Sequence, residues 1–134
     1  MDETAEVRPL ESSDHVCGAV LLVEDDPNVQ SLVRTILARV CERVDVLDDG
    51  EEAIEQLGRA EYDVVVLDLM LPGKNGFEVA AAVAQIQPKA RLIVMSAIAR
   101  HFADRFDSNT IVLQKPFDVD QLAAAVRDAA RPPA

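Results

Sequence analysis

Short apolar runs alternate with amphipathic stretches along this chain. Ala19-Val20-Leu21-Leu22-Val23 is apolar throughout and too short for a helix, which suits a strand buried on both faces. It stops at Glu24-Asp25-Asp26. Asp26 then caps a helix with Pro27 in its first turn, where a missing N–H costs nothing, and Val29, Leu32, Val33, Ile36, Leu37 and Val40 recur at helical spacing. Val44-Asp45-Val46-Leu47 alternates like an edge strand. Asp49 and Glu52 have the form of a capping box for a helix through Ala53, Ile54 and Leu57, with Gly58 near its end.

Tyr62-Asp63-Val64-Val65-Val66-Leu67 forms the next apolar strand and ends on Asp68. After the Pro72-Gly73 turn, Phe77, Val79, Ala80, Val83, Ala84 and Ile86 mark a helix that stops before Pro88. Arg91-Leu92-Ile93-Val94-Met95 is a buried strand closed by Ser96. From Ala97 to Phe106 a helix with Ile98, Phe102 and Phe106 inward would be short or irregular, since Asp107-Ser108-Asn109 breaks it. Thr110-Ile111-Val112-Leu113 is the last strand. Asp118 and Gln121 then open a helix with Val119, Leu122, Ala123 and Val126. Five strands alternating with helices imply an α/β fold, a parallel sheet with helices on both faces.

At 134 residues and 49% hydrophobic, the chain makes one domain with its own core. The domain is expected over residues 17–131, with polar tails at 1–16 and 132–134. A net charge of −11 disfavours nucleic acid and anionic membrane as direct ligands, because no excess of Lys or Arg exists to displace counterions. No stretch has the length of a transmembrane helix, and Met1-Asp2-Glu3 is acidic where a signal peptide would be basic; a cytoplasmic protein is expected. Cys17 and Cys41 lack metal-ligand spacing and read as two small buried or half-buried side chains in a reducing compartment, with a disulfide as the lesser reading.

Charge changes the picture most at the strand ends, where an open parallel sheet places its ligands. Those ends carry Glu24 and Asp25, then Asp68, Ser96 and Lys115. Each alone has an ordinary reading, as a turn, a satisfied hydroxyl or a surface charge. Together they describe a site. Crowded carboxylates repel unless a cation joins them, and an all-oxygen set suits Mg²⁺. A metal, the Lys115 ammonium and the Ser96 hydroxyl could hold three phosphoryl oxygens in transfer to an attacking Asp68 carboxylate.

In order and spacing, Val23-Glu24-Asp25-Asp26-Pro27, Val66-Leu67-Asp68-Leu69-Met70-Leu71-Pro72-Gly73, Met95-Ser96-Ala97 and Lys115-Pro116-Phe117 resemble the receiver domain of bacterial two-component response regulators, over about Ala19 to Ala130. The resemblance implies a flavodoxin-like sheet of order 2-1-3-4-5. It implies that Asp68 accepts phosphate from a phosphohistidine on a sensor histidine kinase or histidine phosphotransfer protein. Mg²⁺ would be bound by Asp25, Asp68 and the Met70 backbone carbonyl, with Glu24 acting through water. Lys115, Ser96 and Ala97 would contact or follow the phosphoryl group, and the bond before Pro116 would be cis. Kinase specificity would sit on the first helix, at Asn28, Gln30, Ser31, Arg34 and Thr35.

Three departures from that family stand out. Val112 occupies the position where many receivers carry an aromatic switch residue. The Ser96 to Lys115 segment is shorter by about one helical turn, so the helix there should be reduced. The sequence carries no DNA-binding or enzymatic module after residue 130; if it is the whole gene product, output is expected through a downstream protein target, with room for a homodimer. Met70 and Ile98, apolar where family side chains orient the hydrolytic water, imply slow autodephosphorylation. Two alternatives remain: a pseudo-receiver that binds partners without phosphorylation, and an aspartyl-nucleophile phosphatase. The second wants an acid two residues after the nucleophile, where Met70 stands.

Overall fold

The structure, a computed structural model, describes residues 16–71, 75–107 and 109–130. Nearly all of both expected tails and Pro72-Gly73-Lys74 of the turn lie outside the described residues; Val16 is described, and its N–H donates to the Val40 carbonyl at 3.0 Å. The elements run β1 (Cys17–Val23), α1 (Pro27–Val40), β2 (Cys41–Leu47), α2 (Gly50–Leu57), β3 (Val64–Asp68), α3 (Gly76–Ile86), β4 (Arg91–Ser96), β5 (Ile111–Gln114) and α4 (Val119–Ala130). The sheet is parallel throughout, in the order β2-β1-β3-β4-β5. This is the flavodoxin-like architecture expected of the sequence.

Alternation along the central strands divides the core in two. Val20, Leu22, Val64, Val66, Ile93 and Met95 face α1 and α4, and meet Val33, Leu37, Leu122 and Val126. Leu21, Val23, Val65, Leu67 and Val94 face α2 and α3, and meet Ala53, Leu57, Val79 and Val83. These strand residues are fully buried, so each side chain stabilises the fold by about 1.5–3 kcal/mol. Cys17 and Cys41 pair across β1 and β2 as free, buried thiols. The neighbouring Cys17 thiol, and then burial, push the Cys41 thiol far above its ordinary range, so it is no nucleophile at neutral pH.

The helix ends follow local chemistry. Asp26 accepts from the Asn28 and Val29 N–H groups, and Asp49 from Glu51 and Glu52. Asp118 and Gln121 exchange side-chain and backbone bonds at 2.8 and 2.9 Å, a complete capping box. The box at α3 is one the apolar pattern did not reveal: Asn75 and Glu78 cap each other's backbone N–H groups.

Several side chains expected inside are outside. Leu32 is 53% exposed and Val119 46%, each at the margin of its helix face, and Ala84 and Ile86 are exposed while Ala82 is buried in their stead. Between β4 and β5 the described residues make two 3-10 turns, Ala99–His101 and Ala103–Arg105. Phe102 and Phe106 pack inward there against Phe77, at ring-centroid distances of 5.1 and 5.7 Å; Ile98 instead turns out, at 38% exposure. No helix among the described residues is long and apolar enough to cross a membrane.

Candidate functional site

Parallel strands leave their carboxyl ends on one edge of the sheet, and the charged residues collect there. Glu24 follows β1 and is 1% exposed; Asp68 ends β3 at 4%, and Ser96 ends β4 at 0%. The backbone fixes their register, since Leu69 N–H donates to the Met95 carbonyl at 3.1 Å and Lys115 N–H to the Ser96 carbonyl at 2.9 Å. Lys115, directly after β5, then turns its side chain back across the sheet. Its Nζ lies 3.1 Å from Glu24 Oε1 and 3.0 Å from Asp68 Oδ2. The Lys115–Pro116 peptide bond is cis.

Glu24, Asp25 and Asp68 each offer a carboxylate oxygen, and these oxygens lie within 4.8 Å of one another. Asp25 is exposed between two buried acids, which gives the cluster an open side. Burial raises the Glu24 carboxyl above its ordinary value; the Asp26 N–H bond opposes this, and the charge of Asp68 adds to it. Burial alone would lower Lys115, but the hydrogen bond and charge of Asp68, and then those of Glu24, hold its ammonium above the ordinary value. One lysine cannot balance three carboxylates. The residual charge and the all-oxygen donor set fit a hard divalent cation such as Mg²⁺ better than a soft or nitrogen-preferring metal.

The other side chains expected in the site are less gathered. Met70 is 62% exposed, and its N–H donates to Asp68 Oδ1 at 2.9 Å. Ser96 Oγ is engaged locally, accepting from Ile98 N–H at 3.1 Å, while Ala97 is exposed and Val112 half-buried. On α1, Asn28, Ser31, Arg34 and Thr35 are exposed, but Gln30 is half-buried and its amide donates to the Glu24 carbonyl at 2.6 Å. It therefore supports the acidic cluster rather than standing free on the helix. Gln114 is a second amide that spacing did not single out; it joins the Ala97–Arg100 turn to the end of β5. Neither amide has a local sequence signature, because each partner is set by the fold.

An open parallel sheet with buried acids and a lysine at its carboxyl edge is an arrangement that could hold a cation, and comparison with known proteins gives the class. Residues 20–127 match the family model described as the response regulator receiver domain. The chain is 34% identical to the transcriptional regulatory protein TcrA of Mycobacterium tuberculosis, over 97% of this chain and 54% of that protein. It is 36% identical to the transcriptional regulatory protein CutR of Streptomyces coelicolor, over 84% of this chain and 53% of CutR. It thus spans about half the length of these relatives. Among solved structures, the response regulator TrrA from Thermotoga maritima, in complex with Mg²⁺ and beryllofluoride, aligns with TM-score 0.73 and 27% identity over 84% of this chain and 98% of TrrA. The receiver domain of a sensor histidine kinase from Pseudomonas aeruginosa, with magnesium in its active-site cleft, aligns with TM-score 0.72 and 25% identity over 84% and 96%. This chain belongs to the receiver domains of response regulators.

Proposed function

We propose that the domain is a phosphoacceptor of a two-component or phosphorelay system, with Asp68 as the acceptor. The observation that carries the reading is Lys115 Nζ held between Asp68 and Glu24, the two buried members of a three-carboxylate cluster that Asp25 leaves open. Mg²⁺ would be held by Asp25, Asp68 and the Met70 carbonyl, with Glu24 through water; it would supply charge neutralisation for the incoming phosphoryl oxygens. Lys115 would take a further oxygen, and Ser96 and Ala97 would follow the phosphoryl group from the neighbouring strand end. Attack by an Asp68 oxygen on phosphorus breaks the bond to the donor imidazole, which leaves with its electron pair. The domain in this reading is a signalling module, with its own phosphorylation and slow dephosphorylation as its only chemistry.

The phosphodonor would be a sensor histidine kinase or histidine phosphotransfer protein. Exposed Leu32 beside Asn28, Ser31, Arg34 and Thr35 on α1 supports docking there, since an apolar side chain ringed by polar ones is the usual make-up of an interface centre. Output is assigned to a downstream protein. The test is Mg²⁺-dependent labelling by a small phosphodonor, read by intact mass. Label should appear on the natural chain and vanish in Asp68→Asn; label persisting in that variant would place the acceptor elsewhere.

A further inference from the structure

Arg91 Nε, on β4, donates to the Asn109 carbonyl at 3.0 Å, and between β4 and β5 the 97–106 stretch is held on two sides. On one side Phe102 and Phe106 pack on Phe77, and the Arg105 guanidinium lies 4.7 Å from the Phe77 ring centroid. On the other side the fastener is a single amide. Gln114 Nε2 donates to the Ala97 carbonyl and, at 3.2 Å, to the Lys115 carbonyl, while its Oε1 accepts from Arg100 N–H at 3.1 Å. The Ala97 carbonyl and the Ile98 N–H are two ends of one peptide group, and the Ile98 N–H is held by Ser96 Oγ at 3.1 Å. One peptide plane is therefore clasped from both sides, by the last residue of β4 and the last residue of β5.

We propose that Gln114 is a positioning residue that keeps the 97–106 segment docked on β5, and so sets how far a phosphoryl group on Asp68 can move it. This rests on the phosphoacceptor reading. If the Ser96 hydroxyl turns toward a phosphoryl oxygen, it gives up the Ile98 N–H. The Ala97–Ile98 peptide is then held by Gln114 alone, and Arg100 keeps its acceptor. With Gln114 in place the disturbance stops near Ile98; without it, the turn would lift and uncover the aromatic faces of Phe102 and Phe106. β5 carries Val112 where an aromatic side chain could have coupled strand to segment, and the Gln114 amide makes that connection by hydrogen bonds instead.

Residue-resolved amide hydrogen exchange on the full chain tests this, at rest and with Mg²⁺ and beryllofluoride as the phosphoryl mimic. In the natural chain the mimic should speed exchange at Ile98 and leave Arg100 protected. In Gln114→Ala, Arg100 should exchange about tenfold faster at rest, as one lost hydrogen bond implies, and the mimic should widen that ratio across 98–106. Gln114→Glu keeps an acceptor for Arg100 N–H but has no amide donor for Ala97, so it should retain Arg100 protection at rest and lose it with the mimic. A merely structural role would give the same ratio with and without the mimic. Arg100 rates unchanged in Gln114→Ala, or Arg100 as fully released by the mimic in the natural chain as in the variant, would overturn the proposal. Phosphodonor labelling of the same samples separates the two readings: if the natural chain takes no label, the phosphoacceptor reading falls and the coupling with it, while the resting rates still decide whether Gln114 holds the segment.

Discussion

Lys115 Nζ lies 3.0 Å from Asp68 Oδ2 although β4 separates their strands in the sheet. The contact closes the site from its far edge, and its worth can be measured without any phosphodonor. Lys115→Met removes the one cation that, among the described residues, is bonded to two buried carboxylates, whose side chains are 1% and 6% exposed. Breaking such a pair leaves charge uncompensated, and the expected loss in chelator is about 3 kcal/mol. Mg²⁺ should restore most of it by taking over the neutralisation. Urea unfolding with EDTA and with Mg²⁺ checks both halves; a variant as stable as the parent in EDTA would mean that the cluster is already protonated or open to water.

Glu24 predicts a pH dependence of the metal-free domain. Its folded-state carboxyl is raised above the ordinary 4.5, chiefly by burial. The native state thus holds this proton more tightly than the unfolded chain. The contribution is full below about pH 4.5 and is lost as pH rises through the folded value. Glu24→Gln should flatten that decline and raise stability in chelator at neutral pH, while shrinking the gain from added Mg²⁺. Thermal midpoints from pH 4 to 8, with and without Mg²⁺, give the comparison.

At the opposite end of the sheet Tyr62 predicts an alkaline limit. Its hydroxyl is buried, donates to Asp45 Oδ2 at 2.6 Å and accepts from Gln56 Nε2 at 2.8 Å. Burial, then the Asp45 bond, raise the phenol above its ordinary 10.0, and Lys115 is raised above its ordinary 10.5. Both contributions are full below the unfolded values and vanish as pH climbs through the folded ones. Stability should fall from about pH 10 upward. Tyr62→Phe starts lower, because Asp45 and Gln56 each lose a partner, but declines less steeply; an unchanged slope would remove Tyr62 from the account.

How far the sequence speaks follows the range of each interaction. Asp26-Pro27 and Asp118 with Gln121 were legible because a cap and its partner lie within three residues. Asn75 and Glu78 obey the same rule, but the Pro72-Gly73 turn signal beside them is the stronger. The candidate site residues Glu24, Asp68, Ser96 and Lys115 are legible because each ends or directly follows a strand, and Asp25 because it stands next to Glu24. Leu32, Ile98 and Val119 sit at apolar positions, and periodicity cannot tell the centre of a helix face from its margin or foresee 3-10 turns. Gln30, Gln114 and Gln87, whose amide bonds the Leu57 and Ala60 carbonyls and accepts from Tyr62 N–H, find partners that only the folded chain brings near.

Two glycines separate backbone necessity from chance. A Cβ on Gly76 would stand 2.3 Å from Leu69 Cα and 2.6 Å from Leu69 O, where the start of α3 folds back against the residue after Asp68. Backbone cannot give way as a flexible side chain does. Gly76→Ala should cost about 3 kcal/mol and disturb the Asp68 loop. Gly58 is helical at the end of α2, and its added Cβ meets only Glu55 O, at 3.5 Å. Gly58→Ala should be neutral or stabilising by up to about 1 kcal/mol. Paired urea titrations decide, and similar values for the two would contradict the close approach at Gly76.

Lifetime of the proposed phosphoryl group is the last consequence. Hydrolysis needs a water aligned with the Asp68 phosphorus bond, and a side chain can hold that water only if it offers a donor or acceptor. Met70 and Ile98, two residues after Asp68 and Ser96, are 62% and 38% exposed, and neither offers a strong donor or acceptor to a water. The phosphorylated domain, free of phosphatase, should persist well beyond seconds. Met70→Asn adds an amide at the same place and should shorten the lifetime roughly fivefold, the worth of one hydrogen bond in the transition state. Loss of label after removal of the phosphodonor measures both. A parent lifetime of only seconds would show that water is oriented by something other than these two side chains.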